Sequence, residues 1–144
     1  VMNETANATL AIGALPVMAH APEEVAEMAT VAGALVLNIG TLTREWVDLM
    51  ILAGRAANVA GVPVVLDPVG VGSTMLRTDR ARLILSQGSV AIVRGNAAEV
   101  AAFAGQRADI RGVESMGTTS HLGTLACTAA RALGCIVAVV GNHS

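Results

Sequence analysis

The chain has 144 residues, 53% of them hydrophobic and 14% charged, with a formal net charge of −2. That length suits one compact domain, and so apolar a chain is not disordered, because it can bury enough surface to offset the entropy of folding. The nine basic residues are all arginines, scattered from Arg44 to Arg131 without a cluster, which excludes the basic stripe that a nucleic-acid partner needs.

A membrane span is excluded by run length. Mean hydropathy is +0.62, but the longest apolar stretches, Gly33 to Leu37 and Gly61 to Leu66, end at Asn38 and Asp67. A spanning helix needs about 20 such residues. Val1 to Glu4 offers neither a basic nor an apolar leader segment, so the chain reads as cytoplasmic. Cys127 and Cys135 have no second pair and no histidine at metal-ligand spacing, which points to two buried thiols rather than a disulfide or zinc site. Trp46 and Phe103 are the only aromatic side chains besides histidine, so Ala, Val, Leu, Ile and Met must build the core. Alanine-rich helices with thin polar faces predict a homo-oligomer.

In chain order, helix-period segments alternate with short β-branched runs, the pattern of parallel strands joined by helical crossovers. Asn3 to Ala14 reads as a helix ended by Gly13 and Pro16. Pro22, Glu23 and Glu24 open a second helix to about Val31, since proline suits the first turn and acids complement the helix N-terminus. Ala34 to Ile39 has the continuous apolarity of a strand buried on both faces. Thr43 caps a helix over Glu45 to Ala60, closed by Gly61, and Val62 to Leu66 is the next strand. A helix over Thr78 to Leu85, a strand over Val90 to Val93 and a helix over Ala97 to Ala104 follow. Gln106 to Ser120 reads as a polar loop, His121 to Leu133 as a helix and Cys135 to Val140 as a last strand.

Ligands of a parallel sheet gather beyond the carboxyl ends of its strands. Three such ends are polar or rich in glycine: Asn38 to Thr41, Asp67 to Thr74, and Arg94 to Glu99. A carboxylate at Asp67 can take a proton from an alcohol or hold magnesium through water, and it equally fits a cap for the turn before Pro68. Gly70 and Gly72 let backbone approach an anion, although no P-loop lysine exists in this chain. Asn96 and Glu99 are three apart, a spacing that serves a helix cap or a shared site. With Arg94 just before them, such a group can bind triphosphate oxygens through the arginine and magnesium through the glutamate. Met18 offers a thioether suited to a small heteroaromatic ring or to core filling. His20, His121 and His143 show no relay spacing and read as surface or satisfied histidines.

The segments Leu15 to His20, Ala32 to Thr41, Val64 to Gly70 and Arg94 to Glu99 together resemble the hydroxyethylthiazole kinases of thiamine biosynthesis. The resemblance runs from Val1 to about Gly105 and returns at Ile136 to Gly141. It implies a ribokinase-like α/β fold, a mostly parallel sheet with helices on both faces, present here as one domain over residues 1–144 and incomplete at both ends relative to the family. It implies ATP as co-substrate, Mg2+, and a thiazole alcohol as acceptor. It assigns Met18 and Gly40 to the thiazole pocket, Arg94 and Asn96 to the nucleotide, and Asp67 and Glu99 to the metal, with Asp67 also catalytic. A homotrimer with sites at subunit contacts is implied as well.

Two features depart from the family. A glycine-rich turn followed by a catalytic cysteine has no counterpart at Cys127 or Cys135, and Val140-Gly141-Asn142 stands where Thr-Gly-Glu is usual. A valine has no hydroxyl to offer a nucleotide. Two further readings therefore stay open: an inactive ligand-binding or oligomerisation module, and another vitamin-precursor kinase of the same fold.

Overall fold

The computed structural model describes residues 2–105 and 119–141. In chain order these form α1 (Met2–Ala11), α2 (Pro22–Val31), β1 (Leu35–Asn38), α3 (Arg44–Val59), β2 (Val64–Asp67), α4 (Met75–Gln87), β3 (Ile92–Asn96), α5 (Ala97–Phe103), α6 (Thr119–Leu133) and β4 (Ile136–Val140). The strands make one parallel sheet in the order β1-β2-β3-β4. This is the parallel α/β architecture that the alternating pattern and the resemblance predict, with α2 to α6 layered on one face of the sheet where the resemblance implies both.

Local chemistry sets most of the boundaries. Pro22 opens α2, with Glu23 and Glu24 in its first turn. Thr43 caps α3, its hydroxyl accepting the Trp46 N–H at 3.1 Å. The helix expected from Thr78 begins earlier, at Met75, because Thr74 is the cap and its Oγ1 accepts the Arg77 N–H at 3.2 Å. α1 is shorter at its end than expected, as Gly13 at φ +86° turns the chain after Ala11. Of the expected loop over 106–120, residues 106–118 lie outside the described residues, and Thr119 and Ser120 begin α6. His143 also lies outside them.

Strand register decides where the core sits. Leu37, Leu66 and Val93 stand abreast on β1, β2 and β3, each 4% exposed or less, and Val137 continues the row on β4. Right-handed crossovers between neighbouring strands taken in sequence put α3 to α6 over this face. α2 packs on α3. The helical layer is small-residue rich where it meets the sheet, with Ala53, Ala57 and Ala81 2% exposed or less. The opposite face carries Val36, Val65, Ile92 and Ile136 in one row, with Val36 63% and Ile136 65% exposed. β1 is thus buried on one face among the described residues, rather than on both. Continuous apolarity permits two-sided burial but does not supply the second layer.

The thiols are a correction: Cys127 is exposed and Cys135 half-buried, both unbridged. Cys127 lies on α6, whose outer side is open, whereas Cys135 tucks against the core at the start of β4. Burial pushes the Cys135 thiol above its usual range. His121 is on the surface. Among the described residues no helix is long and apolar enough to cross a membrane.

Candidate functional site

The register that aligns the core also aligns the polar residues. Asn38 pairs with Asp67, and one step beyond the Leu66–Val93 pair Asp67 stands beside Arg94. Three adjacent parallel strands therefore present an amide, a carboxylate and a guanidinium on the same face at their carboxyl ends. Because side chains alternate along a strand, all three point away from the face that α3 to α6 cover.

Asp67 is the centre of this row. Its Oδ2 accepts from Asn38 Nδ2 at 2.9 Å and from Arg94 Nη1 at 3.3 Å. Its Oδ1 accepts no hydrogen bond from any described residue. The Asp67 side chain is 15% exposed and that of Arg94 51%, so the acid is recessed and the cation reaches outward. Burial raises the Asp67 pKa above the ordinary aspartate range; Arg94 opposes this, Glu99 adds to it, and the hydrogen bonds from Asn38 and Arg94 again oppose it. The outcome is a carboxylate easier to protonate than a free one, with one oxygen held and the other open.

Glu99 joins the second tip to the third. Asn96 Oδ1 accepts the Glu99 N–H at 2.8 Å and Glu99 Oε2 accepts the Asn96 N–H at 3.0 Å, a complete capping box for α5. Its other oxygen, Oε1, accepts the Gly70 N–H at 2.8 Å. The capping reading of Asn96 and Glu99 is therefore realised, and the same carboxylate is close enough to Asp67 to disfavour its ionisation.

The glycines are explained by close approach. A Cβ at Gly40 would lie 2.9 Å from Asn38 Oδ1, the atom that accepts the Gly40 N–H at 2.8 Å. Gly70 and Gly72 have φ of +76° and +90°, and a Cβ on Gly72 would meet the Ala102 Cβ at 2.7 Å.

Met18 comes to the same end of the sheet indirectly. His20 Nδ1 donates to the Met18 carbonyl oxygen at 2.8 Å, and the His20 ring stacks on Trp46 with centroids 5.0 Å apart. Trp46 is in the first turn of α3, which leaves the carboxyl end of β1. Arg94 and Asn96 belong to the strand itself, which runs to Asn96 and not to Val93 as expected, because β4 pairs with it up to Val140. That extension holds Arg94 on a rigid strand rather than on a loop.

Sequence reasoning passed over two residues. Asn38 was visible only as part of a polar strand end. Arg77 sits in the first turn of α4, where the helix dipole disfavours a cation; that misplacement was the one available signal of a tertiary role. Its guanidinium donates to the carbonyl oxygens of Ile39, Val69 and Gly40 at 3.0, 2.9 and 3.1 Å.

No group of three or more His, Cys, Asp and Glu side chains is gathered for a metal among the described residues. Two carboxylates, Asp67 and Glu99, are the donors available here. Mg2+ commonly binds through one or two carboxylates together with phosphate oxygens and waters, so this set fits it. The open Asp67 Oδ1 is the atom best suited to direct or water-mediated contact, since both Glu99 oxygens already accept backbone N–H groups.

A carboxylate, an arginine and two glycine loops thus gather at the carboxyl ends of the strands, where open α/β sheets bind their ligands, and the class of fold is α/β, ribokinase-like. The chain belongs to the hydroxyethylthiazole kinase family, whose model matches residues 1–144. It is 56% identical over 141 residues to the hydroxyethylthiazole kinase of Nitratidesulfovibrio vulgaris (strain DP4), a match covering 98% of this chain and 53% of that one. Against the hydroxyethylthiazole kinase of Methanosphaerula palustris it is 53% identical over 140 residues, covering 97% and 53% respectively. A solved structure of the hydroxyethylthiazole kinase protein from Pyrococcus horikoshii OT3 superposes with a TM-score of 0.84 at 47% identity, covering 98% of this chain and 52% of that one. The chain thus spans about half the length of the relatives it matches.

Proposed function

We propose that this chain provides the acceptor and metal side of a hydroxyethylthiazole kinase, transferring the γ-phosphoryl group of ATP to the primary alcohol of 4-methyl-5-(2-hydroxyethyl)thiazole in thiamine biosynthesis. The observation that carries this reading is the recessed Asp67 carboxylate, held on one oxygen by Asn38 and Arg94 and open on the other. Membership of the family and identity above half with two curated kinases support it.

Phosphoryl transfer passes through a loose transition state, so positioning and charge neutralisation supply most of the acceleration. Arg94 keeps Nη1 within reach of Asp67 at 3.3 Å and offers the remaining donors of its half-exposed guanidinium to the triphosphate. Asn96, two residues on, completes the nucleotide side. Asp67 Oδ1 accepts the proton of the substrate alcohol as its oxygen attacks, and the raised pKa makes the carboxylate a stronger base than a free aspartate. Met18 and Gly40 face the thiazole, the thioether against the ring and the glycine leaving room beside Asn38. Mg2+, held through waters on Asp67 and Glu99, would neutralise phosphate charge without a direct metal bond competing for the Oδ1 lone pair that takes the proton. Val140, where the family usually has threonine, contributes no hydroxyl to the nucleotide.

The reading extends to a homotrimer and to the cytoplasm, where a free nucleotide co-substrate is at hand. Supporting subunit contact, Ile12 is 82%, Leu15 89% and Val17 64% exposed on the segment leading to Met18.

The test is phosphate transfer by the complete encoded chain, assayed with the thiazole alcohol, ATP and Mg2+, beside calorimetry with each ligand and native mass measurement. A phosphorylated thiazole alcohol is the expected product. Thiazole binding without turnover would instead identify a ligand-binding module, and faster turnover of a different vitamin-precursor alcohol would reassign the substrate.

A further inference from the structure

Arg77 carries a charge that no described carboxylate neutralises. Its guanidinium is partly buried and spends its donors on three backbone carbonyls from two separate chain segments. Nη1 donates to Ile39 at 3.0 Å and Val69 at 2.9 Å, and Nη2 to Gly40 at 3.1 Å. Ile39 and Gly40 follow β1; Val69 follows β2. The stem of the side chain also fills the space beside Gly70, where a Cβ would lie 2.9 Å from Arg77 Cδ.

Each carbonyl adjoins a residue of the site. Ile39 follows Asn38, which orients Asp67; Gly40 belongs to the expected thiazole pocket; Val69 precedes Gly70, whose N–H is held by Glu99. Three carbonyl oxygens converging without a cation would repel one another and would present a negative wall to an incoming phosphate. A planar guanidinium satisfies all three at once, whereas an ammonium is a point charge on a flexible stem and cannot reproduce the fork.

We infer that Arg77 is a positioning residue of the transfer reaction, locking the loops after β1 and β2 into one rigid wall that sets the thiazole alcohol against Asp67. The inference rests on the kinase reading above and adds to it a residue that meets neither nucleotide nor metal. It predicts that loosening Arg77 displaces the acceptor alcohol more than ATP.

The experiment compares the complete encoded chain with Arg77→Ala and Arg77→Lys. It reads steady-state kinetics for both substrates, melting temperature, and hydrogen exchange at the Gly40 and Gly70 amides. For Arg77→Ala the expected result is a fall in kcat/KM for the thiazole alcohol of about tenfold to a hundredfold, with its KM raised and that for ATP little changed. The Gly40 and Gly70 amides should exchange faster, and added guanidinium ion should restore part of the activity. Arg77→Lys, which keeps the charge and loses the fork, should fall between. Unchanged exchange at both glycines, or wild-type kinetics in Arg77→Lys, would overturn the inference; if Arg77→Ala does not fold, Arg77→Lys alone decides by the same two readouts. A wild-type chain that turns over no thiazole alcohol overturns the kinase reading instead, while glycine exchange still reports on the loops.

Discussion

Glu99 Oε1 accepts the Gly70 N–H at 2.8 Å, tying the first turn of α5 to the loop that follows β2. The same carboxylate closes the capping box with Asn96 through its other oxygen. One side chain thus terminates a helix and holds a glycine loop beside Asp67, which makes its structural and functional contributions inseparable in a simple deletion.

Glu99→Gln separates them in part. The amide keeps one acceptor and replaces the other with a donor that opposes a backbone N–H. Hydrogen bonds to charged groups contribute about 1.5–3 kcal/mol, so Glu99→Gln should lose on that order of stability and Glu99→Ala at least as much. Urea unfolding measures it. A loss much smaller than that in both variants would show that the bond to Gly70 is not maintained in solution.

Asp67 gives a pH signature with a defined sign. Its folded-state pKa is raised, chiefly by burial, so between the ordinary aspartate range and the folded value the native state binds more protons than the unfolded state. The contribution of Asp67 is therefore most favourable at and below the ordinary range and is lost as pH rises through the folded value. Asp67→Asn should remove this step. The difference in melting temperature between the variant and the parent should grow in the variant's favour with rising pH and then level off, while transfer activity is lost at every pH.

Arg94→Ala should leave stability within about 1 kcal/mol of the parent, because the ion pair with Asp67 involves a half-exposed arginine. It should raise KM for ATP. It should also move the Asp67 pKa further upward, since Arg94 is the largest influence opposing burial there. Kinetics over a pH series reads both; an unchanged KM would remove Arg94 from the nucleotide side.

Gly72→Ala tests the close approach of the glycine loop to α5. The position has φ of +90°, and the new methyl would stand 2.7 Å from the Ala102 Cβ. Backbone strain at such a position costs about 1–3 kcal/mol before any clash is relieved. Denaturant titration should show a loss of at least that order, with Gly123→Ala, where no heavy atom lies within 4 Å of the added Cβ, as the permissive control.

How much of this was legible beforehand differs by residue. Asp67 and Arg94 stand out in the sequence because each follows an apolar run, where a polar residue marks a strand end, and Glu99 because it stands three residues after the capping Asn96. The caps at Thr43 and Asn96 were legible for the same local reason: a side-chain oxygen three residues before a free N–H. Thr74 escaped notice because the helix begins with Met75 and Leu76, which are apolar but face solvent, 82% and 57% exposed, so the apolar periodicity of α4 does not mark its beginning. Asn38 and Arg77 were hidden because the atoms they serve are far away in sequence, at Asp67, Ile39, Gly40 and Val69.

Composition, alternation of apolar runs and local turn chemistry suffice for a parallel α/β chain with three polar strand ends, since these depend on neighbours within a few residues. Which strand lies beside which, and in what register, depends on packing between segments far apart in the chain. Only that packing aligns Asn38, Asp67 and Arg94 in one row, leaves Val36 and Ile136 exposed on the same face, and turns a cation in the first turn of α4 into the clasp of two loops. Side-chain period 2 explains why register matters so much: a shift of one residue would send Asp67 into the core and bring Leu66 to the surface.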